Sequence, residues 1–402
     1  MARRDRISQL PEDVLDHILG LLPIQQAAKI AVLSTVWRDL WTTLTQLCFD
    51  CHFFEYFNRK YRRASKYVRK SSALYVITKI LLQHKGTIRK CVIHLSLSGD
   101  LIVRSRSFDF DQWLHLVTFK GVEEFHLRFG RAYKLPNCIF LCSTLKSLHL
   151  HGFSIEPLNL PRTFPPNLTS LYLAYVDFGS TNLSNYVVDV PMLENLSFWS
   201  CANIPDFKIT ARKLCSLAIN GWYYSQLNKS PRLNLDFKSI CTLDLDSSSL
   251  QYIVEESATR EQLLQPHALN VELLKVSRFC FQRDVVTFAF VSLLCICPKL
   301  YKLEISFTYE EDTTKAIDAT SNLLKKLCSV VRTYDGLLVL KLCSFRGFRS
   351  QMLFIKEMLA NLPSLETVLF INDCIYDSNK KHEIMEEVLC FPRASIKAKI
   401  VY

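Results

Sequence analysis

The chain has 402 residues, of which 49% are hydrophobic and 22% charged, a globular composition rather than a disordered one. It holds only 10 Gly, and its longest apolar run, Val285–Cys297, is too short to span a bilayer, which argues against collagen-like, linker-dominated and membrane-spanning chains. The formal charge of +11 is uneven: residues 1–134 hold 22 Lys/Arg against 12 Asp/Glu, a net of +10, and residues 135–402 hold 27 against 26, a net of +1.

The opening MARRDRISQLPED places charges where a secretory signal needs apolar residues. The expected location is the nucleus, the cytoplasm or both, with no membrane partner. In such a reducing setting the 15 Cys are expected as thiols. Cys48-x-x-Cys51 is half of a zinc spacing, but no second pair follows it, so no metal and no cofactor is expected.

Pro11, Glu12 and Asp13 form the first turn of a predicted helix, and Val14, Leu15, Ile18 and Leu19 give it an apolar stripe. Gly20-Leu21-Leu22-Pro23 ends it. A second helix is predicted from Ile24 to Val32, and Ser34 caps a third containing Trp37, Leu40 and Trp41. So small a bundle closes little core alone, and its surplus apolar surface must dock on something. The elements Leu10-Pro11, Leu21-Leu22-Pro23, Leu33-Ser34 and Trp37-Arg38-x-Leu40-Trp41 resemble the F-box in register. That resemblance implies binding to a Skp-type adaptor and, through it, to a cullin–RING ubiquitin ligase. It assigns adaptor contact to Leu10, Pro11, Val14, Leu15, Ile18, Leu19, Leu22, Pro23, Val32, Leu33, Trp37 and Trp41, without dividing these from the F-box's own core.

Residues 59–70 carry seven basic side chains in twelve and no acid. A solvated helix face is the ordinary reading of such a run; phosphate binding is the sharper one, and nucleic acid is not the expected partner.

An L-x-x-L-x-L pattern then recurs eleven times, from Val92/Leu95/Leu97 to Leu365/Val368/Phe370, at steps of 21 to 37 residues. Its L-x-L part puts two side chains on one face of a short strand. One unit cannot bury its leucines alone, so neighbours must stack. The longer steps leave room for helices, predicted over 312–332 and 351–359. The pattern resembles the plant-type leucine-rich repeat. Where that family favours Asn or Cys, three residues past the last leucine, this chain has Cys201 once and otherwise Phe153, Val176, Trp222 or Phe279, which puts a regular curvature in doubt.

Phe345-Arg346-Gly347, the helix Phe354–Leu362 and Phe391-Pro392-Arg393-Ala394-Ser395 before a last strand resemble the FBD domain of plant F-box proteins. The organisation expected is an F-box at 4–48, a basic helical linker and solenoid entry at 49–88, degenerate repeats at 89–334, and an FBD segment continuing and capping the solenoid at 335–402. The fold class is α/β: a small three-helix F-box followed by a leucine-rich-repeat solenoid, a curved parallel sheet with helices and loops outside.

No phosphate loop, nucleophile elbow or HExxH is present, so the chain is read as non-catalytic, a receptor that supplies proximity. Residues between the inward leucines face out of the sheet. Arg128, His149, His151, Tyr172, Trp199, Asp244 and Asp246 are the expected docking residues for an unidentified substrate protein. The competing class is a scaffold that uses 59–70 for phosphate while its F-box serves structure alone.

Overall fold

The computed structural model describes residues 7–95, 107–155, 164–179, 186–204, 207–221, 237–250, 268–308, 314–331, 336–371 and 378–402. The chain divides into two compact units. The first comprises residues 1–195, 201–213 and 231–235; the second comprises 196–200, 214–230 and 236–402.

The first unit begins with three short helices, α1 (Glu12–Gly20), α2 (Ile24–Ile30) and α3 (Thr35–Trp41). Ser34 caps α3, its hydroxyl accepting from the Trp37 N–H at 3.4 Å. Helix α2 stops two residues short of the predicted Val32, and a turn carries Val32 and Leu33 into solvent. β1 (Gln46–Phe49) follows at once and pairs in parallel with β2 (Lys90–His94). The sheet therefore starts within the residues expected to close the F-box. Between these strands run α4 (Cys51–Lys60) and α5 (Lys66–Gln83), capped by Asp50 and Ser65.

α6 (Ser107–Phe119), β3 (Glu124–Lys134), β4 (Ser147–Ser154) and β5 (Ser170–Ala174) continue the unit, each strand parallel to the one before. β6 (Tyr186–Asp189) and β8 (Phe207–Thr210) form a separate two-stranded parallel sheet.

The second unit orders its strands as β7 (Asn195–Trp199), β9 (Ser216–Asn220), β10 (Thr242–Asp246), β11 (Leu273–Phe279), β12 (Lys302–Phe307), β13 (Val339–Cys343), β14 (Thr367–Ile371) and β15 (Lys399–Val401). From β9 to β15 all pairs are parallel. α7 (Asp284–Cys295), α8 (Thr314–Val331), α9 (Arg349–Asn361) and α10 (Ser378–Leu389) fill the longer steps. α8 and α9 meet the expected helices; Leu97, Trp222 and residues 312–313 lie outside the described residues.

The leucine template explains the core. Leu145, Leu148 and Leu150 are fully buried, as are the matching Leu300, Leu303 and Ile305; each such side chain contributes about 1.5–3 kcal/mol. One backbone carbonyl per repeat sets the register. Glu123 O accepts from the N–H groups of Lys146 and Ser147, Lys146 O from Thr169 and Ser170, Glu272 O from Tyr301 and Lys302, and Leu338 O from Glu366 and Thr367. Neighbouring strands are thus stitched at their first residue, and a slip would expose every leucine.

The position three past the last leucine also faces inward: Phe153, Val176, Cys201, Phe279 and Phe345 are all buried. In the second unit phenylalanine rings run from Phe279 to Phe281, Phe281 to Phe307, Phe307 to Phe345 and Phe345 to Phe370 at centroid distances of 5.2, 5.7, 6.3 and 4.9 Å. An aromatic spine fills the place of the hydrogen-bonding asparagines that the sequence lacks.

A left-handed residue precedes these inward side chains. Gly152, Tyr175, Ser200, Gly221, Arg278 and Ser344 all have φ between 49° and 79°, and each stands two residues past the last template leucine. After Gly152, Tyr175, Ser200, Arg278 and Ser344 the turn redirects the chain so that the following side chain points into the core, while the residue after Gly221 lies outside the described residues.

Candidate interaction surfaces

The F-box residues separate by burial. Leu15, Leu19 and Trp37 are inside the bundle, and Ile18, Leu22 and Trp41 are half-buried. Leu10, Pro11, Val14 and Pro23 are exposed, while Val32 and Leu33 stand 85% and 77% exposed. Leu21, Val36 and Ile7 are exposed as well; their contribution could not be read from a pattern that is apolar on both sides of each helix. Surface apolar groups at this density in so short a segment are costly unless a partner covers them.

This bundle is anchored. The Asp16 carboxylate on α1 accepts from the Thr45 N–H at 2.9 Å, just before β1. The buried His84 ring donates through Nε2 to Leu44 O at 2.8 Å, and burial lowers its proton affinity. Lys85 N–H reaches Thr42 O at 2.7 Å.

On the sheet of the first unit, the solvent-facing positions of β3, β4 and β5 stand in register: His126, His149 and Tyr172 in one row, Arg128 and His151 in the next. All are half-buried except Arg128, which is exposed. In the second unit Trp199 is 41% exposed on β7. Asp244 is half-buried on β10 and takes the Asn220 Nδ2–H at 3.1 Å; burial raises its pKa against that bond.

Asp246 departs from the expected exposed pair. It is 0% exposed, accepting from the N–H of Gly221 at 2.7 Å and from the Ser249 N–H and hydroxyl at 2.9 and 2.7 Å. Arg278 closes the ion pair. Strict alternation would point Asp246 outward with Asp244, but the strand ends there and the chain turns into Ser247–Leu250. Asp246 is a structural carboxylate, closed to a partner. Asn220 is buried and links Asp244 to the Ser277 hydroxyl.

The comparisons with known proteins agree with this layout. The F-box domain pattern matches residues 7–48, and a leucine-rich-repeat pattern described as "At1g61320/AtMIF1, LRR domain" matches residues 80–388. The chain belongs to the F-box/FBD/LRR-repeat family. It is 26% identical to the F-box/FBD/LRR-repeat protein At1g13570 of Arabidopsis thaliana, over 99% of this chain and 98% of that one. The F-box/LRR-repeat protein At3g59200 of the same plant is 33% identical over 48% of this chain and 36% of its own. The F-box/FBD/LRR-repeat protein At5g56420 is 28% identical over 54% of this chain and 49% of its own.

An F-box implies a Skp-type adaptor and a place in a ubiquitin ligase. No helix among the described residues is long and apolar enough to cross a membrane. Around the F-box exit, Arg59–Ala64 line an open cleft of about 520 Å³. Lys60 there lies over the rings of Tyr56 and Tyr61 at 5.8 and 5.5 Å. Among the described residues, Asp50, Cys51 and His52 are the one group whose donor atoms lie close enough to hold an ion. The Asp50 carboxylate already caps α4, accepting from Phe53 N–H at 3.1 Å. The Cys48 thiol is pushed up to about 11 by burial and by Asp50.

Proposed function

We propose that this chain is the substrate receptor of a Skp–cullin–F-box ubiquitin ligase. Its F-box docks on the adaptor and its repeat sheets hold a substrate protein for ubiquitination. The observation that carries this reading is the division within the F-box: Leu15, Leu19 and Trp37 form the core, while Leu10, Val14, Val32 and Leu33 remain as apolar surface. The chain's contribution is proximity, raising the effective concentration of a substrate lysine beside a loaded ubiquitin carrier; the thioester chemistry belongs to other subunits.

In this reading Arg128, His149, His151 and Tyr172 in one unit, and Trp199 and Asp244 in the other, contribute to substrate contact. Residues 335–402, the FBD segment, close the open end of the repeats. The nucleus and the cytoplasm are the compartments where such a ligase works.

The test is a pull-down with purified Skp-type adaptor, comparing wild type with Leu10→Ala/Pro11→Ala and with Leu33→Asp. Capture by wild type and loss in both variants, each still folded by circular dichroism, supports the reading. Retention by Leu33→Asp, or no capture by folded wild type, would overturn it.

A further inference from the structure

On the first unit's sheet two parallel rows of side chains cross β2 to β5. One row is Val92, His126, His149 and Tyr172; the next, two residues along each strand, is His94, Arg128, His151 and Ala174. By strand geometry the rows lie about 7 Å apart, with about 4.8 Å between members.

The first row is flat and stacked. His126 lies on His149 at 4.1 Å and 14°, and His149 on Tyr172 at 5.3 Å and 27°. Cationic Arg128 occupies the middle of the second row, exposed at the sheet surface. The acids nearest in the register are already engaged. Glu124 pairs with Lys90 at 2.9 Å and Glu123 with Lys146 at 2.7 Å. Neither row contains a carboxylate of its own.

We propose that these two rows bind an extended acidic polypeptide segment in which carboxylate residues alternate with aromatic or aliphatic ones. An extended chain lying between the rows sends successive side chains to opposite sides. One set meets the Arg128 guanidinium, whose fork takes a carboxylate through two bonds. The other set lies on the imidazole and phenol rings. The inference rests on the receptor reading and names the class of substrate segment.

Protonation is linked to this occupancy. Burial holds His94, His126 and His149 below the ordinary imidazole range, His126 down to about 4 with help from His149. The groups around them are Lys90 on β2, Glu124 and Arg128 on β3, His151 on β4 and Tyr172 on β5. Tyr175 packs against His151 with the rings tilted at 46°, and Asp50 at the head of α4 acts on His94. Neutral rings stack without repulsion. An incoming carboxylate raises their proton affinity, so binding takes up protons and tightens as pH falls below the ordinary imidazole value.

The test uses the full chain bound to its adaptor and a labelled nonapeptide of alternating Glu and Tyr, read by fluorescence anisotropy. Arg128→Gln is expected to weaken binding about tenfold or more, and a Gln/Tyr peptide to bind at least as weakly. Lys275→Gln, on the other unit, should change nothing. His126→Gln/His149→Gln should flatten the pH dependence. Equal binding by Arg128→Gln, or equal competition by a uridine dodecanucleotide, would overturn the proposal. If a captured client survives Arg128→Gln, the receptor reading stands and this inference falls. If the peptide binds but no client is ever ubiquitinated, the receptor reading falls and the peptide site stands.

Discussion

Asp16 and Thr45 are joined twice, the carboxylate accepting from both the backbone N–H and the hydroxyl of the threonine. Twenty-nine residues apart, they tie the first F-box helix to the entry of the first sheet strand. Asp16→Ala should leave the Thr45 N–H without its partner and cost about 1–3 kcal/mol. Chemical denaturation would read this as a lower midpoint at unchanged slope. Adaptor capture should persist, because the exposed leucines and valines are untouched.

Within the F-box, core and surface substitutions should act on different measurements. Leu15→Ala opens a cavity in the bundle and should cost about 2–5 kcal/mol. Leu33→Asp should leave the melting temperature within a degree or two and abolish adaptor capture. A Leu33→Asp protein that melts much earlier would place Leu33 in a packing role.

Asp246→Ala should destabilise the second unit by about 3 kcal/mol or more. It strips acceptors from Gly221 and Ser249 and leaves Arg278 without its carboxylate. Asp244→Ala, on the outer side, should cost far less. Parallel thermal melts of the two variants check this, and equal losses would contradict the burial described.

Stability should fall as pH drops from 7 toward 4. His84, His94, His126 and His149 all titrate lower folded than unfolded, burial taking His126 down to about 4 from the ordinary imidazole range. The unfolded chain then binds the extra protons, so stability is fully present above the unfolded value and is lost through the window below it. His126→Gln should have a shallower pH dependence of melting temperature than wild type.

Gly221→Ala should be destabilising because φ is +72° and the new Cβ would stand 2.2 Å from the Ser200 hydroxyl. Ser200→Gly in the same chain should recover part of the loss by removing that contact. Melts of the single and double variants, compared as a cycle, check whether the two turns share this space.

Much of the layout is legible in the sequence because it is periodic. Leu145, Leu148 and Leu150 announce a half-buried strand, and Ser34 before Thr35–Trp41 announces a capped helix. Other features rest on backbone conformation, which leaves little trace in composition. Six repeats take a left-handed residue at one position, yet only Gly152 and Gly221 among them are glycine. Tyr175, Ser200, Arg278 and Ser344 adopt it because the packed turn imposes it. Asp246 departs from the outward face for a related reason: alternation holds only while the strand lasts. The F-box sequence marks which residues are apolar, but the fate of each depends on where α2 ends. Two residues fewer there bring Val32 and Leu33 out of the bundle.

β15 also bears on how the edge of the sheet meets other chains. It is three residues long, with Lys399 as its first residue and Lys397 shortly before it, the devices by which an exposed strand discourages another chain from adding to it. Arg393 holds the approach, its guanidinium donating to Leu389 O at 3.2 Å and Ala398 O at 3.3 Å. Removing this short terminal piece would bare the edge of β14, whose Thr367, Val368 and Leu369 now pair with it. A chain truncated after Leu389 would offer an apolar, β-prone template, and self-association would set in well before the leucine core is lost.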